Sequence, residues 1–343
     1  MARVLDIVIA LAPVIAFLAA LWLMDSFRLV RPRSIAGALA FGAGSAAAAL
    51  WLHEQLLHAH AVPAPVVSRY IAPLTEETAK ALLIGVLLAT ARIGFLVDAA
   101  VEGFAVGAGF ALVENLTYLR VMPDAPVMVW VVRGLGTAML QGGTTAIFAI
   151  ISKTLVDRHS DRIVLALVPG WAAAVAIHSL FNHRLLPPVA QALGVLVVLP
   201  LLVVWVFARS ERATREWIGA GLDLDIVLLD LMVSEQFTHT RFGKYLGDLR
   251  TRLPGLVVAD MCCLLRLELE LSLQAKALLL AREAGVDVPA DDDLAISLAE
   301  RDYLKQSIGS IGVLALKPLQ VTTHRDRWHR HLLQHRTGPA RNR

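Results

Sequence analysis

The chain has 343 residues, a formal net charge of +3 and a mean hydropathy of +0.62, with 57% hydrophobic and 18% charged residues. A soluble domain averages about 45–50% apolar even with Gly counted, and about 25% charged, so these figures exclude an ordinary soluble protein. Acidic and basic residues interspersed at so small a net charge carry no nucleic-acid signature.

The charge is unevenly spread. Residues 1–208 carry 13 Lys/Arg and 11 Asp/Glu, whereas residues 209–343 carry 19 and 18. This predicts a membrane domain over 1–208 and a polar α-helical domain over 209–343. About 20 apolar residues cross a bilayer as a helix, and about seven runs approach that length: 5–24, 35–57, 67–91, 97–118, 125–152, 163–181 and 187–208. The first run is too long for a signal-peptide core and lacks a small-residue cleavage site, so it reads as an uncleaved span. Short connections predict one all-α polytopic bundle, with Gly103-xxx-Gly107 in the fourth run as a close-contact face.

Lys and Arg concentrate on cytoplasmic flanks. One side of these runs collects ten, among them Arg28, Arg31, Arg33, Lys153 and Arg209, against Arg3, Arg69, Arg120 and Arg184 on the other. The expectation is an N-terminus outside and a cytoplasmic C-terminal domain, which needs an odd number of spans. Adjacent Cys262 and Cys263 form no disulfide framework and fit that reducing side.

Ionisable residues inside apolar runs are costly and mark function, usually facing the bundle interior. The third run holds Glu76, Glu77 and Lys80, with the lysine three and four residues on, within helical ion-pair reach. The fourth holds Asp98 and Glu102 near its cytoplasmic start, then Phe110, Glu114 and Asn115. The fifth holds Arg133, Gln141, Thr144 and Thr145, and the sixth places His178 and Asn182 one helical turn apart. At 1.5 Å per residue, Glu76 and Glu77 lie roughly 12–15 Å below the outer surface. Glu114, Gln141, His178 and Asn182 reach overlapping depths, and a single buried site accounts for this. Asp98 and Glu102 read instead as water-accessible residues near the inner face, and Arg133 as a partner for a buried carboxylate.

Crowded carboxylates beside an imidazole suit general acid–base work on water. Lys80 would hold one carboxyl ionised, and His178 and Asn182 can donate to a developing oxyanion. A zinc site using His178 and Glu114 is the other chemistry open to this set, although no HExxH is present. A structural ion pair or an interhelical polar clamp would use the same residues without chemistry.

Glu76-Glu77-x-x-Lys80, Phe110-x-x-x-Glu114 and His178-x-x-x-Asn182, in this order on successive runs, resemble the PrsW family of intramembrane proteases. That family is related to CAAX prenyl endopeptidases and bacteriocin-processing membrane proteases. The resemblance covers roughly residues 65–185. It implies a membrane endopeptidase of the bacterial inner membrane, cutting a membrane-anchored protein substrate outside the cytoplasm. Carried across, Glu76 or Glu77 would activate water, Glu114 would assist, His178 and Asn182 would stabilise the oxyanion, and Lys80 would orient the glutamates. Gln141 stands where the family usually has a further His, and Gln neither shuttles a proton nor ligates a metal well. That departure keeps an inactive, client-binding relative open beside the protease. A proton-coupled transporter using the same carboxylates is the reading from another class, without the broken-helix repeats such proteins often show.

In the polar domain, residues 256–283 read as a helix, and Asp291 or Asp292 as the cap of another over 294–307. The tail holds His331 and His335 on one helix face among several Arg, which reads as basic surface near anionic lipid rather than as a metal site.

Overall fold

The computed structural model describes residues 2–316 and Leu333, except 26, 28, 61, 159–161 and 287–291. Arg28, Asp291, His331 and His335 fall outside the described residues. Among those described, every regular element is helical, and the chain divides into two compact units, residues 1–211 and 212–343.

The first unit contains α1 (Ala2–Leu23), α2 (Pro32–His58), α3 (Ala72–Ala89), α4 (Leu96–Val121), α5 (Ala138–Arg158), α6 (Ile163–Asn182) and the start of α7 (Pro188–Val233). Prolines open α2 and α7, where a fixed φ and a missing N–H suit the first helical turn. Two of these helices are entered through π turns. Val67–Ile71 leads into α3, and Val127–Val132 followed by Arg133–Thr137 leads into α5. Such i→i+5 turns are rare and frequently lie at functional sites.

Six helical stretches are long and apolar enough to cross a membrane: Arg3–Leu23, Pro32–His58, Leu96–Val121, Val127–Arg158, Ile163–Asn182 and Pro188–Val233. The run expected over 67–91 is the exception. Its helix, α3, has 18 residues and carries Glu76, Glu77 and Lys80, so composition alone does not qualify it as a span. It packs instead against α2, α5 and α6.

Burial shows which helices are central. The most apolar stretches of Leu96–Val121 and Val127–Arg158 are 83% and 78% buried, against 22–28% for the other spans. Small residues make this possible. A Cβ on Gly42 of α2 would fall on the carbonyl oxygen of Val106, and one on Gly107 of α4 on the carbonyl oxygen of Gln141. The expected Gly103–Gly107 face is therefore the α4–α5 contact, with Gly103 against Thr145, Ala146 and Ala149. Phe104, Phe148, Val101 and Leu88 fill the apolar core around it.

Asp98 and Glu102, expected at a water-accessible face, are buried. Asp98 Oδ2 accepts from the backbone N–H groups of Gly94 and Phe95, so this carboxylate caps the first turn of α4.

The second unit holds the end of α7, α8 (Arg241–Leu249), α9 (Gly255–Glu283) and α10 (Asp292–Leu316). Helices α9 and α10 pack side by side, with Lys305 paired to Glu268 at 2.8 Å. A buried Lys276–Asp225 pair at 2.6 Å ties α9 to α7. Left-handed Gly309 (φ 63°) kinks α10, a conformation that glycine adopts at little cost. Both cysteines are free thiols.

Candidate active site

Four helices bring the polar residues of the first unit to one place. Glu77 and Lys80 are three residues apart on α3, so the lysine stem folds back one turn. Its Nζ donates to Glu77 Oε1 at 2.7 Å, with both side chains buried. The same Nζ donates to Gln141 Oε1 at 2.6 Å and lies 5.0 Å from the Phe110 ring centroid, a cation–π distance. Glu77 Oε1 also accepts from Thr144 Oγ1 at 3.0 Å and meets His178 Nδ1 at 2.8 Å. An ionised carboxylate only accepts, so the His178 proton on that side sits on Nδ1 and Nε2 is left to face inward.

Glu114 has its own cation. Arg133 Nη2 donates to Glu114 Oε1 at 2.8 Å, and its Nε donates to Asn115 Oδ1 at 3.0 Å. The guanidinium stacks 3.6 Å from the Tyr118 ring centroid, the planar contact an arginine makes and a lysine does not. The Arg133 side chain, at the start of the π turn before α5, is thus the clamp that fixes Glu114.

Gln141 is the centre of the cluster. Its Nε2 donates to Glu76 Oε2 and to Glu114 Oε2, each at 3.0 Å, while its oxygen accepts from Lys80. One amide thereby joins three of the four helices. Glu76 differs from the other two carboxylates. Among the described residues no lysine or arginine comes within ion-pair distance of it; its neighbours are two imidazoles, His178 Nε2 and His53 Nδ1, each at 3.9 Å. Three carboxylates thus face two permanent cations, which leaves a buried excess of one negative charge unless a proton is taken up.

The expected residues Glu76, Glu77, Lys80, Phe110, Glu114, Gln141 and His178 meet here. Asn182 does not. Its Nδ2 donates to the carbonyl of Ser68 at 2.9 Å, and Ser179 Oγ donates to the carbonyl of Arg69 at 2.6 Å. Together they hold the π turn before α3. Position 182 is one turn further out than His178, and that turn faces backbone rather than carboxylate.

His53 of α2 was missed in the sequence reading. Its signal was present: position 53 falls inside the apolar run 35–57, where an ionisable side chain is as exceptional as Glu76.

A comparison with known families matches residues 31–207, 177 of the 343 residues, to the PrsW family of intramembrane metalloproteases. The chain belongs to the PrsW family. No curated protein and no solved structure matches it. The PrsW match begins at the start of α2 and ends inside α7, so it takes in every helix that contributes to the cluster.

The family description names a metal, and around Gln141 the donors of this chain do not suit one. No group of three His, Cys, Asp or Glu is placed to hold a metal ion among the described residues. The point between Glu76 Oε2 and Glu114 Oε2, where a cation would be shared, is taken by the Gln141 amide nitrogen. Glu77 and the Nδ1 of His178 are already committed to each other and to Lys80. An amide nitrogen is no zinc ligand, and zinc prefers Cys, His and carboxylate donors.

Proposed function

We propose that this PrsW-family protein is an intramembrane endopeptidase in which Glu76 takes a proton from the attacking water. The observation that carries this reading is the partition of charge. Glu77 is neutralised by Lys80 and Glu114 by Arg133, which leaves Glu76 as the carboxylate whose proton affinity is not spent on a fixed cation. A general base must be able to gain and lose its proton during turnover, and only Glu76 among the three retains that freedom.

Geometry supports the remaining assignments. Glu77, held by Lys80 and Thr144, orients His178 so that Nε2 points toward Glu76 Oε2 and the water beside it. With its proton on Nδ1, His178 presents Nε2 as an acceptor that orients the attacking water, not as the oxyanion donor the resemblance implied, and Glu114 with Gln141 fixes the position of Glu76. Asn182 acts on the π turn and not on the oxyanion. The substrate is a membrane-anchored protein cut in the outer half of the bilayer. With α3 crossing as a seventh helix beside the six apolar ones, the N-terminus is outside and residues 212–343 are cytoplasmic, in a bacterial inner membrane.

Gln141 favours a second reading, in which the protein binds membrane clients without cutting them because its amide occupies two of the three carboxylates. One experiment separates the two. Protein N-termini are profiled in membranes of cells expressing wild type or Glu76→Gln at equal levels. New termini within or beside membrane spans, present with wild type and absent with Glu76→Gln, are expected; identical profiles would leave only client binding.

A further inference from the structure

His53 lies across Glu76 from His178, and its contact with Thr75 bears on its tautomer. Thr75 Oγ1 has a single proton and lies 2.9 Å from the carbonyl oxygen of Ile71 and 3.2 Å from that of Ala72. With that proton given to a helix carbonyl, the 2.8 Å contact between His53 Nε2 and Thr75 Oγ1 is donated by the imidazole. In the neutral ring this places the proton on Nε2 and a bare lone pair on Nδ1. That lone pair faces Glu76 Oε1 at 3.9 Å. Oε1 is the free end of Glu76: Gln141 donates to Oε2, and no hydrogen bond reaches Oε1 among the described residues.

Two acceptors 3.9 Å apart repel in a buried site, and a proton taken up by either one relieves that repulsion. We propose that His53 is a positioning residue for the hydrolysis, accepting at Nδ1 the proton that Glu76 takes from water. This rests on the peptidase reading above. During attack, a water O–H bond breaks and its proton passes to Glu76 while the oxygen bonds to the peptide carbonyl carbon. The proton moves from Glu76 Oε1 to His53 Nδ1, giving an imidazolium stabilised by the excess negative charge of the site. As the carbon–nitrogen bond breaks, the proton returns through Glu76 to the leaving nitrogen, and both side chains regain their starting forms. The charged groups around His53 are Glu76 on α3, Glu114 on α4 and His178 on α6. His178 cannot take this part equally well, because it faces the oxygen that already accepts from Gln141.

The test uses full-length protein in bilayers, with the membrane proteins cleaved by wild type and spared by Glu76→Gln as substrates. His53→Gln keeps a side-chain N–H for Thr75 and loses the basic nitrogen. It is expected to lower kcat about 10²-fold, the lower range for proton-transfer catalysis, with KM unchanged. In His53→Ala, added imidazole is expected to restore turnover, which a purely structural role would not allow. Nitrogen-15 NMR of histidine-labelled protein, with His53 assigned by its loss in His53→Gln, is expected to show a protonated Nε2 and a bare Nδ1. Activity of His53→Gln within about threefold of wild type, or a proton resident on Nδ1 of the neutral ring, overturns the proposal. If wild type cleaves nothing that Glu76→Gln spares, the peptidase reading falls and takes this proposal with it. If cleavage needs Glu76 and survives His53→Gln, the role of His53 alone falls.

Discussion

Replacing Lys80 by Met removes the cation that neutralises Glu77 and leaves a side chain of similar length against Phe110. The change strips one of three donors from Glu77 Oε1 and, among the described residues, the one donor to the side-chain oxygen of Gln141. Glu77 is 2% exposed, so water cannot take the place of the ammonium. Breaking a buried ion pair from one side costs about 3–5 kcal/mol, and a buried carbonyl left without its donor about 1–3 kcal/mol. Together these make about 4–8 kcal/mol, which at about 2–4 °C per kcal/mol for a domain of this size lowers the melting temperature by at least about 8 °C. The assay is thermal unfolding of purified protein in detergent, followed by tryptophan fluorescence. Adding Glu77→Gln removes the stranded charge, so the Lys80→Met/Glu77→Gln protein is expected to recover most of the loss. A single variant melting within about 2 °C of wild type, or a double variant no more stable than the single, would refute the charge partition on which the choice of Glu76 depends.

Gly107→Ala puts a methyl group against the carbonyl of Gln141, where the obstacle is backbone and cannot rotate away; overpacking of about 1–3 kcal/mol is expected, with cleavage falling further than protein abundance on immunoblots. Asn182→Ala removes the donor to Ser68, and cleavage is expected to fall by less than about tenfold, because loss of a true oxyanion donor costs about 10²–10³-fold; quantitative substrate immunoblots distinguish the two. Gln141→His replaces the shared amide nitrogen with an imidazole between Glu76 and Glu114, completing a three-donor set of the kind zinc accepts, so elemental analysis is expected to find zinc retained by the variant and not by wild type.

Much of this site was legible because charge inside an apolar run stands out against its surroundings. Glu76, Glu77, Lys80 and Glu114 were visible on that ground alone, and Gly103 and Gly107 marked the face on which α4 meets α5. Which glutamate does the work was not legible. Lys80 is four residues from Glu76 and three from Glu77, and either spacing allows an ion pair; the choice depends on Thr144 and His178 arriving from α5 and α6 to share Glu77. Arg133 reads from sequence as a partner for a buried carboxylate, but not for which one, because its guanidinium reaches Glu114 only across a helix interface. Asn182 was misplaced by assuming that two residues on one helical face share one environment. One turn of rise, about 5.4 Å, separates a carboxylate from the backbone of a neighbouring segment. The match of residues 31–207 to an intramembrane protease family supports the class of chemistry, while the distribution of cations is the ground on which Glu76 is proposed as its centre.

The two π turns, Val67–Ile71 and Arg133–Thr137, both stand just outside the helices that carry Glu76 and Gln141. A π turn is an α-helix holding one residue more than the turn needs, and one residue turns a helix by about 100°. The outer ends of α3 and α5 are therefore angularly uncoupled from the floor beneath them. At Val67–Ile71, gain or loss of a single position would turn the residues that precede α3 while Glu76 and Glu77 keep their bearings; at Arg133–Thr137 the same change would swing Arg133 off Glu114. One π turn is thus free to vary in sequence length, and the other is held in register by the ion pair it carries.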